Sequence, residues 1–172
     1  LSNKAVAIQL PIGAEADHVG VVDLIEQKAY KFEGNFGENI LEIDIPEDLK
    51  ENVEKYRAEL LEKVAEAGDD IMNKYLGGEE ISIEEINTAI RALVLQDDMY
   101  PVMCGTALQN VGVQPMLDAV VAYLPSPLDV PPLVAHDVDD EEKEIPVKAN
   151  DDEPFSALAF KIATDPYVGK LA

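Results

Sequence analysis

The sequence predicts a mixed α+β and α/β fold: a small, largely antiparallel sheet with long helices, then a strand leading through a small-residue loop into a further helix. Three observations predict it. Apolar residues form short β-rich or alternating blocks between residues 5 and 45, and then recur at spacings of three and four over residues 49–93. "PVMCGTALQN" at 101–110 passes from strand-like residues into Gly105-Thr106-Ala107 before a helical period resumes. With 47% hydrophobic residues over 172 positions, the chain can bury a core in one domain or in two small ones.

"AVAIQLPI" at 5–12 and "GVVDLIEQKAYKFE" at 20–33 read as strands, the second broken near Gln27, and "GNFG" at 34–37 reads as a turn. Leu41, Ile43 and Ile45 alternate with Glu42 and Asp44, the period of a half-buried strand. Pro46, Glu47 and Asp48 then open a long helix, because proline is tolerated and acids are favoured in a first turn. Its core face is Leu49, Val53, Tyr56, Leu60, Val64, Ala67, Ile71 and Tyr75, and Gly77-Gly78 ends it. Ser82 with Glu85 is a capping-box pattern for a second helix carrying Ile86, Ile90 and Leu93. A strand at 99–104 follows. Val113, Met116, Leu117, Val120, Val121 and Leu124 mark a third amphipathic helix, ended by Pro125 and Pro127.

From 126 to 153 the chain turns proline-rich and acidic, and "DVDDEEKE" lacks the alternating ligands and the glycine of a calcium loop. This stretch reads as a linker with a solvated charge run. "FSALAFKIA" at 155–163 reads as a strand, and Asp165-Pro166 as a turn before a partner strand that has barely begun at Ala172. An edge left unpaired is expected of part of something larger.

The net charge of −22 argues against a surface that lies on nucleic-acid phosphates and makes a basic protein the natural complement, although charge of either sign also keeps a domain soluble. No apolar run reaches the roughly 18 residues that span a bilayer, so no membrane contact is expected. The N-terminus carries no signal-peptide pattern. The single cysteine, Cys104, is expected to be a packed thiol in a reducing compartment, most simply the cytoplasm. His18 and His136 stand apart from any ligand set and read as surface or structural residues, with no metal site. No P-loop occurs, and "NKAV" at 3–6 carries Val6 where a guanine-reading motif needs aspartate.

"CGTALQNVGVQPMLDAVVAYLPSPLDVP", 104–131, resembles the last nucleotide-binding motif of the translational GTPases and the helix after it, most closely in the bacterial elongation factor G family. "PIGAE", "GVVDLI", "NKYLGGEE" and "DEPFSALAFKIATDP" resemble that family in the same order, so the likeness spans nearly the whole chain. The resemblance implies a partial GTPase-domain core: a core strand at 1–12, an inserted subdomain at 13–98, the last core strand and helix at 99–125, the acidic linker at 126–153 and the first strand of a β-barrel domain at 154–172. It implies that the backbone N–H of Ala107, flanked by Thr106 and Leu108, faces the guanine of GTP or GDP, whose magnesium is held elsewhere in the intact protein. The chain alone, without P-loop, switches or magnesium ligands, is expected to hold no nucleotide and to be catalytically inactive. Ala7 stands where the family has proline, Thr106 where it has serine, and Gln109 and Val111 where lysines are frequent, which blurs the side-chain share of base binding.

The function so implied is ribosomal translocation in polypeptide elongation. This region's own part would be structural and recruiting, through the C-terminal domain of the large-subunit stalk protein, with little direct nucleic-acid contact. Opposite the apolar stripe of the long helix lie Glu51, Glu54, Glu62, Glu66 and Asp69, with Lys55 and Ala58 among them. These acids are read either as a docking face or as a solvated face laced with Glu51–Lys55 and Glu59–Lys63 pairs. Likewise Gly105-Thr106-Ala107 is either a base-facing loop or a plain strand-to-helix turn. Two alternatives stand beside the translocase: a ribosome-protecting or peptide-release GTPase of the same class, and a non-catalytic acidic interaction module. A P-loop encoded upstream of Leu1 would separate the last from the others.

Overall fold

The computed structural model describes residues 3–140 and 142–171. The fold is mixed α+β: four helices, small antiparallel sheets and one short parallel strand pair among the described residues. The chain divides after Pro125 into two compact units.

In the first unit the expected strand at 5–12 is two strands in two sheets. β1 (Ala5–Ala7) runs parallel to β6 (Tyr100–Val102), while β2 (Gln9–Ile12) opens an antiparallel sheet ordered β2-β3-β4-β5, with β3 Gly20–Asp23, β4 Lys28–Glu33 and β5 Asn39–Ile43. Ile8 is the switch. Its N–H donates to Val102 of one sheet and its carbonyl accepts from Leu24, beside the other, each at 3.0 Å, and its side chain is buried. The break near Gln27 is where the sequence places it: Asp23 Oδ1 accepts the amides of Ile25 and Glu26 at 2.7 and 2.9 Å, and Gln27 takes φ +56. β5 bonds only β4 and lies at the sheet's edge, so Ile43 and Ile45 are half-buried as expected but Leu41 is exposed.

The long helix also comes in two pieces. A 3-10 turn at Glu47–Leu49 leads into α1 (Lys50–Ala65), which breaks before Gly68, and α2 (Asp69–Gly77) starts afresh. Gly68 is extended, at φ 171 and ψ 163, in the conformation of a residue ahead of a helix rather than within one. Val53, Leu60 and Val64 fill the core as the stripe requires, whereas Tyr75 on α2 is exposed. α2 ends as the glycine pair predicts: Gly78 takes φ +67, and Glu79 N–H returns to Lys74 O at 2.9 Å.

α3 (Ile83–Leu95) starts with the full capping box, Glu85 N–H donating to Ser82 Oγ and Ser82 N–H to Glu85 Oε2. The Lys74 ammonium, hydrogen-bonded to Glu85, and then the Ser82 backbone and hydroxyl groups, hold the Glu85 carboxyl down at about 2. Ser82→Ala removes the hydroxyl that caps the Glu85 amide and should cost about 1 kcal/mol in denaturant unfolding. A depressed carboxyl contributes fully above its unfolded value near 4.5 and loses that contribution as pH falls toward 2, so the gap between wild type and variant should narrow over that window.

β6 is shorter than the expected strand at 99–104: Met99 is buried ahead of it, and Met103 and Cys104 have left the ladder. α4 (Val113–Tyr123) forms where expected but packs by another face. Met116, Leu117, Val120 and Val121 are exposed, Val121 at 83%. Tyr123 is buried instead and donates its hydroxyl to Asn87 Oδ1 on α3. Periodicity marked an apolar face correctly but not its partner, and none of the described residues covers it.

In the second unit the expected linker contains a hairpin, β7 (Leu133–His136) with β8 (Glu144–Val147). Lys143 and Asp137, the residues next to its two strands, pair at 2.6 Å. The expected strand at 155–163 is not one over 155–162. Phe155, Leu158 and Phe160 are exposed and join no ladder; only β9 (Ala163–Asp165) pairs, with β10 (Gly169–Leu171). Asp165 Oδ1 accepts the amides of Tyr167 and Val168 in the turn the Asp-Pro pair predicts. No barrel closes among the described residues.

Candidate functional site

The loop after β6 is a closed ring. Thr106 and Val111 exchange both backbone hydrogen bonds, at 2.9 and 3.1 Å, and between them Ala107–Gln109 make one turn of 3-10 helix that ends on Asn110 at φ +55. Glycines stand at both ends because nothing larger fits. A Cβ on Gly105 would lie 2.7 Å from Val111 O, and one on Gly112, at φ +76, would lie 2.7 Å from Cys104 O. The expected base-facing residues come out unequal. Thr106 is half-buried with its N–H committed to Val111, whereas Ala107 opens the turn, where an amide has no acceptor within the turn. Ala107 is exposed, and Leu108 is 96% exposed. Cys104, just upstream, packs beside Val21, Phe32 and Val111, and burial pushes its thiol up to about 11. It is a protonated packing residue at neutral pH, not a nucleophile.

The "GNFG" turn between β4 and β5 lies against this ring, a contact the sequence reading missed. Asn110 Nδ2 donates to Phe36 O at 2.7 Å and Gln114 Nε2 to Gly37 O at 3.2 Å. Gly37, at φ +59, is so close that a Cβ would stand 2.8 Å from Asn110 O and 2.9 Å from Gln109 O. Glu38 closes the turn by accepting the Phe36 amide. The only trace in the sequence was a glycine and an asparagine, each suited to the left-handed region.

Of the five acids expected on one helix, Glu51, Glu54 and Glu62 lie on α1, Glu66 caps its C-terminal end and Asp69 lies on α2, and all five are exposed. The expected i,i+4 pairs give way to others: Lys63 bonds Glu66, and Lys55 sits 5.3 Å from the centre of the Tyr56 ring. Glu59, Glu62 and Glu66 edge a groove of about 430 Å³ between α1 and the β1–β6 pair, whose apolar lining includes Val6, Val102 and Tyr56. The acids thus border exposed apolar surface, which periodicity alone did not indicate. A second groove, about 460 Å³, has Gln9, Asp23, Asn87 and Asp118 among its walls, and burial raises the Asp23 carboxyl. Among the described residues no three His, Cys, Asp or Glu side chains are gathered for a metal. His18 is half-buried and His136 exposed.

No family model matches the chain. It is similar to the crystal structure of a protein from Thermus thermophilus, with 27% identity and a TM-score of 0.71 over 97% of this chain. The chain spans 22% of that protein's length.

Proposed function

We propose that this chain is the base-facing loop and recruiting insert of a translational GTPase of the elongation factor G kind, a cytoplasmic ribosomal translocase. The closed ring at 105–112 carries the reading. In sheets with parallel strands, ligands gather beyond the carboxyl ends of the strands, and the ring leaves that end of β6 with Ala107, an exposed residue, opening its turn. A carbonyl such as the guanine O6 needs an N–H there, and leaving it unmet would cost roughly 1–3 kcal/mol. The order of the matched sequence segments, and the recurrence of this fold as one portion of a far longer protein, support the same reading. In the intact protein the phosphates and magnesium of GTP or GDP are held by other segments, and this chain's share is the base. The acids on α1 and the groove beside them take a basic partner, for which the stalk protein's C-terminal domain is the candidate.

Calorimetry tests the reading. The intact protein should bind GDP at micromolar concentration or tighter and reject ADP, while the 172-residue chain alone, folded by its melting curve, gives no binding heat. Guanine-selective binding by the isolated chain, or indifference of the intact protein to guanine, would overturn it.

A further inference from the structure

We infer that the β4–β5 turn is a brace for the base-facing ring, with Asn110 and Gly37 as its positioning residues. The inference rests on the guanine reading above and adds residues that touch no nucleotide in it. The ring has only two backbone hydrogen bonds across its neck, Thr106 with Val111, and its exposed turn packs little of its own. Its far side is held by the insert: Asn110 Nδ2 on Phe36 O at 2.7 Å, Gln114 Nε2 on Gly37 O at 3.2 Å, and Gly37 so placed that a Cβ there would collide with the Gln109 and Asn110 carbonyls. Asn110 does two things at once. At φ +55 it closes the 3-10 turn that Ala107 opens, accepting strain that most side chains avoid, and its amide group ties that corner to a turn 74 residues away. Moving the turn therefore moves the corner, and the Ala107 N–H with it. β4 and β5 become levers on the ring. A donor that must meet one ligand oxygen at about 2.9 Å loses its value when it can wander, which is why a binding group gains from being held before the ligand arrives.

Two substitutions separate the brace from the backbone. Asn110→Asp keeps the side-chain shape and the tolerance for positive φ but replaces the donor by an oxygen facing the Phe36 carbonyl. Gly37→Ala leaves the ring's own sequence alone and pushes the turn away from it. In the intact protein, hydrogen exchange of the peptide covering 105–112 should quicken about fivefold or more in either variant, the loss of one hydrogen bond's worth of protection, while β3 and the buried face of α1 stay protected. GDP dissociation should quicken by a similar factor. The double variant should do little more than the stronger single one, because both act through one contact. Unchanged exchange at 105–112 in either folded variant overturns the brace, as does faster exchange with unchanged GDP dissociation, or full additivity of the two. Failure of the guanine reading is told apart, since it is read on the unmodified protein, as binding of ADP as well as GDP or of neither.

Discussion

Ala107→Pro in the intact protein should weaken GDP binding by about tenfold or more, equivalent to about 1.4 kcal/mol or above, with little loss of fold stability. Proline removes the one group the proposal needs, the N–H, and the local backbone accepts it. Ala107 is the first residue of its 3-10 turn, a position where proline's fixed φ suits a helical start and its missing donor breaks no internal bond. Thr106 ahead of it is already extended, at φ −126 and ψ 109, in the region a residue preceding proline must occupy. The Thr106–Val111 bonds that close the ring use neither Ala107 atom. Val121→Ala on α4 is the control: its side chain is exposed and lies outside the ring, so affinity should change little. Titration of a fluorescent GDP analogue, with melting curves for each variant, reads both effects. Full affinity in a folded Ala107→Pro variant would return the ring to a plain strand-to-helix turn.

What could be read from the sequence follows the range of the interactions. Caps and turns are short-range, so Ser82 with Glu85, Gly78, and the Asp23 and Asp165 turns are found where residue type put them. The bend at Ile8 left no mark, because it comes from one residue bonding two sheets and not from a glycine or proline. The break at Gly68 did leave one, but the apolar period continues across it and hid it. Residues 155–162 have the composition of a strand, yet a strand exists only with a ladder partner, and none is present among the described residues. The α4 stripe was visible as a pattern, but a pattern does not say what covers it, and most of the stripe is exposed. At the candidate site the small residues at 105–107 were legible. The Asn110–Phe36 contact was not, because no local rule links positions 74 apart.

Reversing Glu62 and Glu66 to lysine should slow association with the stalk protein's C-terminal domain by roughly 10-fold or more at low salt, the lower end of the range electrostatic steering covers. Both side chains are exposed at the edge of the α1 groove, and the buried Leu60, Val64 and Ala65 that anchor the helix are untouched. The reversal also removes the Lys63–Glu66 pair, but an exposed pair of this kind is worth about 1 kcal/mol at most, so the melting curve should barely move. The apolar lining, Val6 and Val102, stays in place, so the dissociation rate should change less than the association rate. Salt sharpens the distinction between docking face and solvated face. With a screening length of about 8 Å at physiological ionic strength, the wild-type rate should fall as salt is added, while the double variant starts lower and falls less steeply. Stopped-flow mixing with the purified domain over a salt series supplies both rates, and stalk-dependent GTP turnover by the intact protein should decline in parallel. Equal association rates at low salt, with both proteins folded, would leave these acids as solvated surface and remove recruitment from the function of the insert.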